Sequence, residues 1–342
     1  MPGTTIDRTM TVGMTPGTAG GARSFIVADL AFHASDSGVP ADTAGVTIGT
    51  RILTMRGEVP VEELRTGDRV ICHDYRPAPI VRISRRRIKL ISHPAPAMVQ
   101  PILVRAGALA HELPRCDLLV SPDQALLLDG HLIPVRSLID GYAIVQVARR
   151  LVTYFEIEVP EPTALLAEGI ACETSFEAGD RTVFDDVTPM RCDPERAAGG
   201  RQGARFAPFT EAGAAVETVR ARILARAPVP TTDDAAVLIH HCADGSAMIT
   251  SRSTIPGYRL ADPRDRRALG IKIAALTIDG RPVPLDHPAL TEGWYSPEAD
   301  GRWTDGAGVI PAALVAGGRE IAITIAATLA YPLSALPPSA EV

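Results

Sequence analysis

GVTIGTRILTMRGEVPVEELRTGDRVICHD, residues 45–74, alternates short apolar runs with turn signals. Residues 50–54 (TRILT) alternate apolar and polar side chains, the two-residue period of a half-buried strand. Arg56-Gly57-Glu58 turns the chain, and residues 59–64 follow. Gly67-Asp68 then makes a second turn into residues 69–72 (RVIC).

The pattern continues outward as far as about residue 178. Residues 80–90 alternate again after Pro77 and Pro79, and short strands fit 116–121, 125–128, 132–135 and 154–159. Turn signals recur every ~8–12 residues, the spacing of a compact β-fold rather than of βαβ units. Residues 1–44 are rich in Gly, Thr, Ala and Asp and read as a largely irregular leader, with one apolar cluster at 24–33. Residues 181–209 lose periodicity and read as a linker. Residues 210–227 read as an amphipathic helix. Thr210 is the expected N-cap, Val216, Val219 and Ile223 share a face, and Pro228 stops it. Strand patterns return at 235–240, 247–251, 271–278 and 320–330, so residues 210–335 are expected to be the helix plus a β-sandwich-like domain. The expected class is mainly β.

Composition narrows the function. A net charge of −6 and 4% aromatic residues argue against a nucleic-acid binder built on bulk positive charge or base stacking. The basic run 84–89 (SRRRIK) then reads as a solvated strand face. No apolar run of ~18 residues suggests a membrane span. The start of the chain carries no ordinary signal peptide, so cytoplasm is the default compartment, with export by another route left open. The five cysteines are widely spaced and read as reduced, mostly buried thiols. Gly and Pro number 29 each, an excess that fits turn-rich β-structure.

Residues 45–74 resemble the start of Hint domains, the Hedgehog/intein autoprocessing fold. The bacterial pattern Cys-Phe-x-x-Gly-Thr-x-Ile-x-Thr, then Gly-x-x-Pro-Val-Glu-x-Leu-x-x-Gly-Asp, meets Gly49-Thr50, Ile52, Thr54, Gly57, Pro60-Val61-Glu62, Leu64 and Gly67-Asp68. Residues 117–135 (DLLVSPDQALLLDGHLIPV) resemble the second block of that family, and residues 154–173 (YFEIEVPEPTALLAEGIACE) its closing strands. The resemblance implies an all-β horseshoe over residues 45–180, with its first residue beside the middle of the chain.

It also implies where chemistry belongs. Active relatives begin with Cys or Ser, whose side chain attacks the preceding carbonyl. That position is Gly45. The Ser/Thr-Pro-Asp-His motif of the second block, whose His is the acid–base group, reads Ser121-Pro122-Asp123-Gln124. Gln donates hydrogen bonds but transfers no proton near neutral pH. The terminal His-Asn of splicing relatives falls at Glu173-Thr174. These departures imply a degenerate site. The alternative is self-cleavage near residue 44 through a shifted nucleophile, with Thr43, Thr47, Cys72 and Cys172 as weak candidates. In Cys72-His73-Asp74, adjacent strand residues point to opposite faces and do not converge simply.

The C-terminal half offers one further candidate site. Trp294 and Trp303, the only tryptophans, lie in GWYSPEADGRWTDG, residues 293–306, with Glu298 and Arg302 between them. A similar pattern occurs in small β-sandwich modules of bacterial proteins, some of them glycan-handling. Indole faces stack on sugars or cations, so a glycan or protein ligand is one reading. The other is a structural corner in which Glu298 pairs with Arg302. His240-His241-Cys242 with Asp244 looks like a metal cluster only by composition. No metal or cofactor is expected, and the partner is left unknown.

Overall fold

The structure is a computed structural model, and it describes residues 8–12, 44–174, 205–226, 228–318 and 320–333. Most of the expected leader and linker, including the apolar cluster 24–33 and Thr43, lies outside the described residues. Among the described residues, 44–228 with 257–264 make one compact unit, and 8–12, 229–256 and 265–333 make another.

The first unit is built from two sheets. One has six strands in the order Ile144–Gln146, Ile102–Val104, Leu118–Val120, Val46–Thr47, Leu151–Glu158 and Arg82–Lys89. The other runs His131–Pro134, Ala125–Leu128, Ile170–Glu173, Ala164–Ala167, Arg51–Thr54, Arg69–Ile71 and Pro77–Pro79, with Gly57–Pro60 paired to Arg51–Thr54. All pairings between these strands are antiparallel.

The alternation in TRILT is borne out physically. Ile52 and Thr54 are buried while Arg51 is exposed. Residues 59–64 are not one element, because the strand Gly57–Pro60 stops within them. Pro60 ends it, and Val61–Glu63 form a 3-10 turn that buries Val61. The chain crosses from one sheet to the other between Thr47 and Arg51. Gly49 makes that crossing at φ 87°, a conformation that costs other residues, and its N–H donates to the Glu62 carboxylate at 2.9 Å. Ile52, Val61, Val70, Ile102, Leu118, Leu126 and Ile133, all essentially inaccessible, belong to one core. Each such side chain contributes about 1.5–3 kcal/mol of burial free energy.

Three expectations about the middle of the chain are corrected. The helix spans Ala214–Arg226, so Thr210 does not cap it. Its hydroxyl donates instead to the Ala212 carbonyl. Val216, Val219 and Ile223 do share a buried face, but that face joins the core of the first unit rather than a C-terminal sandwich. Arg220, on the same helix, is 1% exposed and donates to the carbonyls of Ser137, Ile139, Gly257, Leu260 and Ala261. Residues 205–209, expected in the linker, pair with the first unit. Leu132 N–H donates to the Pro208 carbonyl, and Leu132 accepts from Thr210 N–H.

The second unit has a five-stranded sheet and a three-stranded sheet that share a core. Arg8–Val12, Ile321–Ala327, Lys272–Ile278 and Arg281–Val283 run in that order, with Arg302–Trp303 also on Lys272–Ile278. Leu238–His241, Ala247–Thr250 and Ala307–Ile310 form the other sheet. Ile249, Ile310, Ile273, Leu276, Ile321 and Ile323 pack in one cluster. Arg8–Val12, inside the expected largely irregular leader, is a strand of this sheet. Its RTMTV pattern alternates, but it gains strand status only by pairing with Ile321–Ala327 far along the chain.

Candidate functional site

The strand Val46–Thr47 lies between Leu118–Val120 and Leu151–Glu158 in the six-stranded sheet. That placement brings residue 45 beside the middle of the chain. The Gly45 carbonyl accepts the Ser121 N–H at 2.9 Å. Gly45, Gln124 and Glu173 line one small cavity with Ala44, Phe155, Leu165 and Cys172. Its volume is about 20 Å³, enough for about one water.

The details at residue 45 go beyond a missing side chain. Gly45 has no positive φ, so its backbone suits other residues. A Cβ there would sit 3.0 Å from the Phe155 carbonyl oxygen and 3.2 Å from Tyr154 Cβ. The strand Leu151–Glu158 therefore lies close over the place where a side chain at residue 45 would begin. It would have to give by a few tenths of an ångström to admit one.

Gln124 is 3% exposed, and its side-chain amide donates to the carbonyls of Ala125 and Glu173, both at 3.0 Å. It thus ties the second block to the closing strand Ile170–Glu173. Ser121 is fully buried, and its hydroxyl has no hydrogen-bond partner among the described residues. Asp123 is ion-paired with Arg136, which also holds Glu211. Burial pushes the Glu173 carboxyl up, and the Arg205 guanidinium 3.6 Å away offsets part of that. Thr174 is buried, and its hydroxyl donates to the Thr163 carbonyl at 3.0 Å.

The alternative nucleophiles are poorly placed. Thr47 is buried and donates to the Leu119 carbonyl at 3.1 Å. Burial pushes the Cys172 thiol up to about 12, far from a thiolate at neutral pH. Cys72 is also buried, and burial raises it too. His73 Nδ1 lies 3.2 Å from Thr163 Oγ1, and its ring packs on Phe206. Asp74 pairs with Arg76, which holds its carboxyl below the usual range. Cys72 and His73 both meet the Thr163 hydroxyl, while Asp74 turns to Arg76.

Arg205 and Phe206 were not singled out in the sequence. They reach Glu173 and His73 from beyond a segment outside the described residues, and only the fold brings them there.

In the second unit both tryptophans are 8% exposed. Trp294 Nε1 donates to the Val309 carbonyl at 2.8 Å, and its ring joins the core. Arg302 is buried and donates to the carbonyls of Tyr295, Leu285 and Leu290. The expected Glu298–Arg302 pair is corrected. Glu298 pairs with Lys272 at 2.8 Å and Arg267 at 3.5 Å, because Arg302 points inward. His240 and His241 stand opposite Met248 and Ala247, while Asp244 accepts from Ser246.

A family profile for the Hint domain matches residues 44–179. Among solved structures, a DnaB intein from Synechocystis sp. is 11% identical over 39% of this chain and 100% of its own length, with a TM-score of 0.29. A bacterial intein-like domain from Clostridium thermocellum is 13% identical over 39% and 100%, with a TM-score of 0.28. The gp41-1 intein is 11% identical over 39% and 100%, also at 0.28. No curated protein matches.

Proposed function

Because residues 44–179 are a Hint domain, we propose that this one is catalytically silent and serves as a structural or binding scaffold. The observation that carries the reading is at residue 45. The acyl shift needs an internal, positioned nucleophile. Gly45 has none, and the Phe155 carbonyl lies 3.0 Å from where its Cβ would be. Gln124 supports the reading. In place of a proton-transferring group the position holds an amide engaged by two carbonyls.

The remaining residues keep the shape of a site without its chemistry. Ser121 N–H still fixes the Gly45 carbonyl. Asp123 is held by Arg136, and Thr174 closes the strand end on Thr163. Both indoles are 8% exposed, and the proposal does not rest on them.

Intact-mass measurement of the purified chain, with and without a thiol, tests the proposal. The full 36.2 kDa mass is expected in both conditions. Loss of residues 1–44 in either would overturn it. The double substitution Gly45→Cys with Gln124→His then separates two kinds of silence. Cleavage would place it in two side chains alone, and a stable chain would place it in the strand above residue 45 as well.

A further inference from the structure

The strand Arg82–Lys89 ends the six-stranded sheet, and it is eight residues long. On one side it pairs with Leu151–Glu158 over its whole length. Leu90 N–H donates to the Arg150 carbonyl at 2.9 Å, so even-numbered residues of the strand form the hydrogen-bonded pairs with its neighbour. The alternation turns the N–H and C=O groups of Ile83, Arg87 and Lys89 to the outer edge. Among the described residues no strand pairs with that edge.

The side chains along it carry one sign of charge. Arg85, Arg87 and Lys89 are exposed, and Arg150 is exposed at the same end. Leu151 stands directly opposite Lys89 at 38% exposure, and Ile91, just past the strand, is 76% exposed. A row of basic side chains guards an edge against copies of itself, since like charges would face each other across a pairing. It does the opposite for an acidic strand.

We propose that the outer edge of Arg82–Lys89 accepts an acidic, extended peptide segment as an added strand. Main-chain hydrogen bonds would supply the register. Arg87 and Lys89 would meet carboxylates, and Ile91, just past the strand, would take an apolar residue at one end. An extended backbone matches the outward N–H and C=O groups, which a phosphate chain does not. The net charge of −6 also disfavours a nucleic acid.

The test is fluorescence anisotropy of the full chain with a labelled decapeptide of alternating Glu and Val. Saturable binding is expected, about tenfold or more weaker for the same peptide N-methylated on some valines and some glutamates, which keeps the charge but blocks pairing through either edge. An Arg87→Glu/Lys89→Glu variant should also lose about tenfold or more, and the milder Arg87→Gln/Lys89→Gln variant less, each with an unchanged circular dichroism spectrum. Equal binding by the methylated peptide, equal binding by duplex DNA of the same charge, binding that survives charge reversal, or no binding would each overturn the proposal.

Discussion

Gln124 donates its side-chain amide to the main-chain carbonyl of Glu173 at 3.0 Å, across 49 positions of sequence. The same amide reaches the Ala125 carbonyl, so one side chain locks the second block of the domain to its closing strand. An amide transfers no proton near neutral pH, and this one holds a fixed pair of hydrogen bonds.

Removing that lock should be costly. Gln124→Ala leaves two carbonyls without their donor in a buried place and is expected to lower unfolding free energy by about 1–3 kcal/mol. Urea denaturation followed by circular dichroism measures it. An unchanged midpoint would mean that the amide is not a tie.

Ser121→Ala should behave oppositely. The hydroxyl is buried without a partner, so deleting it removes a desolvation cost. Stability is expected to stay level or rise by up to about 1 kcal/mol. A clear loss would show that the hydroxyl is hydrogen-bonded in solution.

Glu173 predicts a pH dependence. Its folded pKa is raised, chiefly by burial. The folded state therefore disfavours the carboxylate and binds the proton more tightly than the unfolded chain does. The resulting penalty is present above the folded pKa and disappears as pH falls through it toward the unfolded value. Glu173→Gln should therefore be more stable than wild type at pH 7, with the difference shrinking toward pH 4. A difference that grows with acid would reverse the sign and refute the assignment.

Arg220→Met should destabilise the first unit by about 3 kcal/mol or more, because several buried carbonyls lose their donor together. Arg220→Lys should recover little, since an ammonium lacks the planar fork that spans those carbonyls. Urea midpoints of the three proteins decide it. The same method applied to Trp294→Ala should show a loss of about 3–5 kcal/mol, the range for emptying an aromatic core position.

Thiol labelling separates the cysteines. Cys116 is exposed, whereas Cys72 and Cys172 are buried and their thiols are held up by burial. Brief iodoacetamide treatment of native protein, read by peptide mass, should modify Cys116 and spare Cys72 and Cys172. Early labelling of Cys172 would show that its cavity opens.

The sequence by itself determined the β-class and the order of the blocks within the first unit. Alternation in TRILT and the turns at Gly57 and Gly67-Asp68 are local events, and so is the absence of a nucleophile at Gly45. The motif order also placed Gly45 near residues 121–124, and the Ser121 N–H bond to the Gly45 carbonyl realises it.

What tertiary structure alone decided depends on partners distant in sequence. Arg8–Val12 became a strand only against Ile321–Ala327. The helix Ala214–Arg226 showed its apolar face in sequence but not which core would receive it. Nothing local in the sequence showed that the donors of Trp294 and Arg302 would meet the carbonyls of Val309, Leu285 and Leu290. The same holds at residue 45. That glycine lacks a nucleophile is written in the chain, but that the Phe155 carbonyl lies over its missing Cβ is a matter of strand approach. Periodicity records which face of an element is apolar. It carries no record of which distant backbone will come within 3.0 Å.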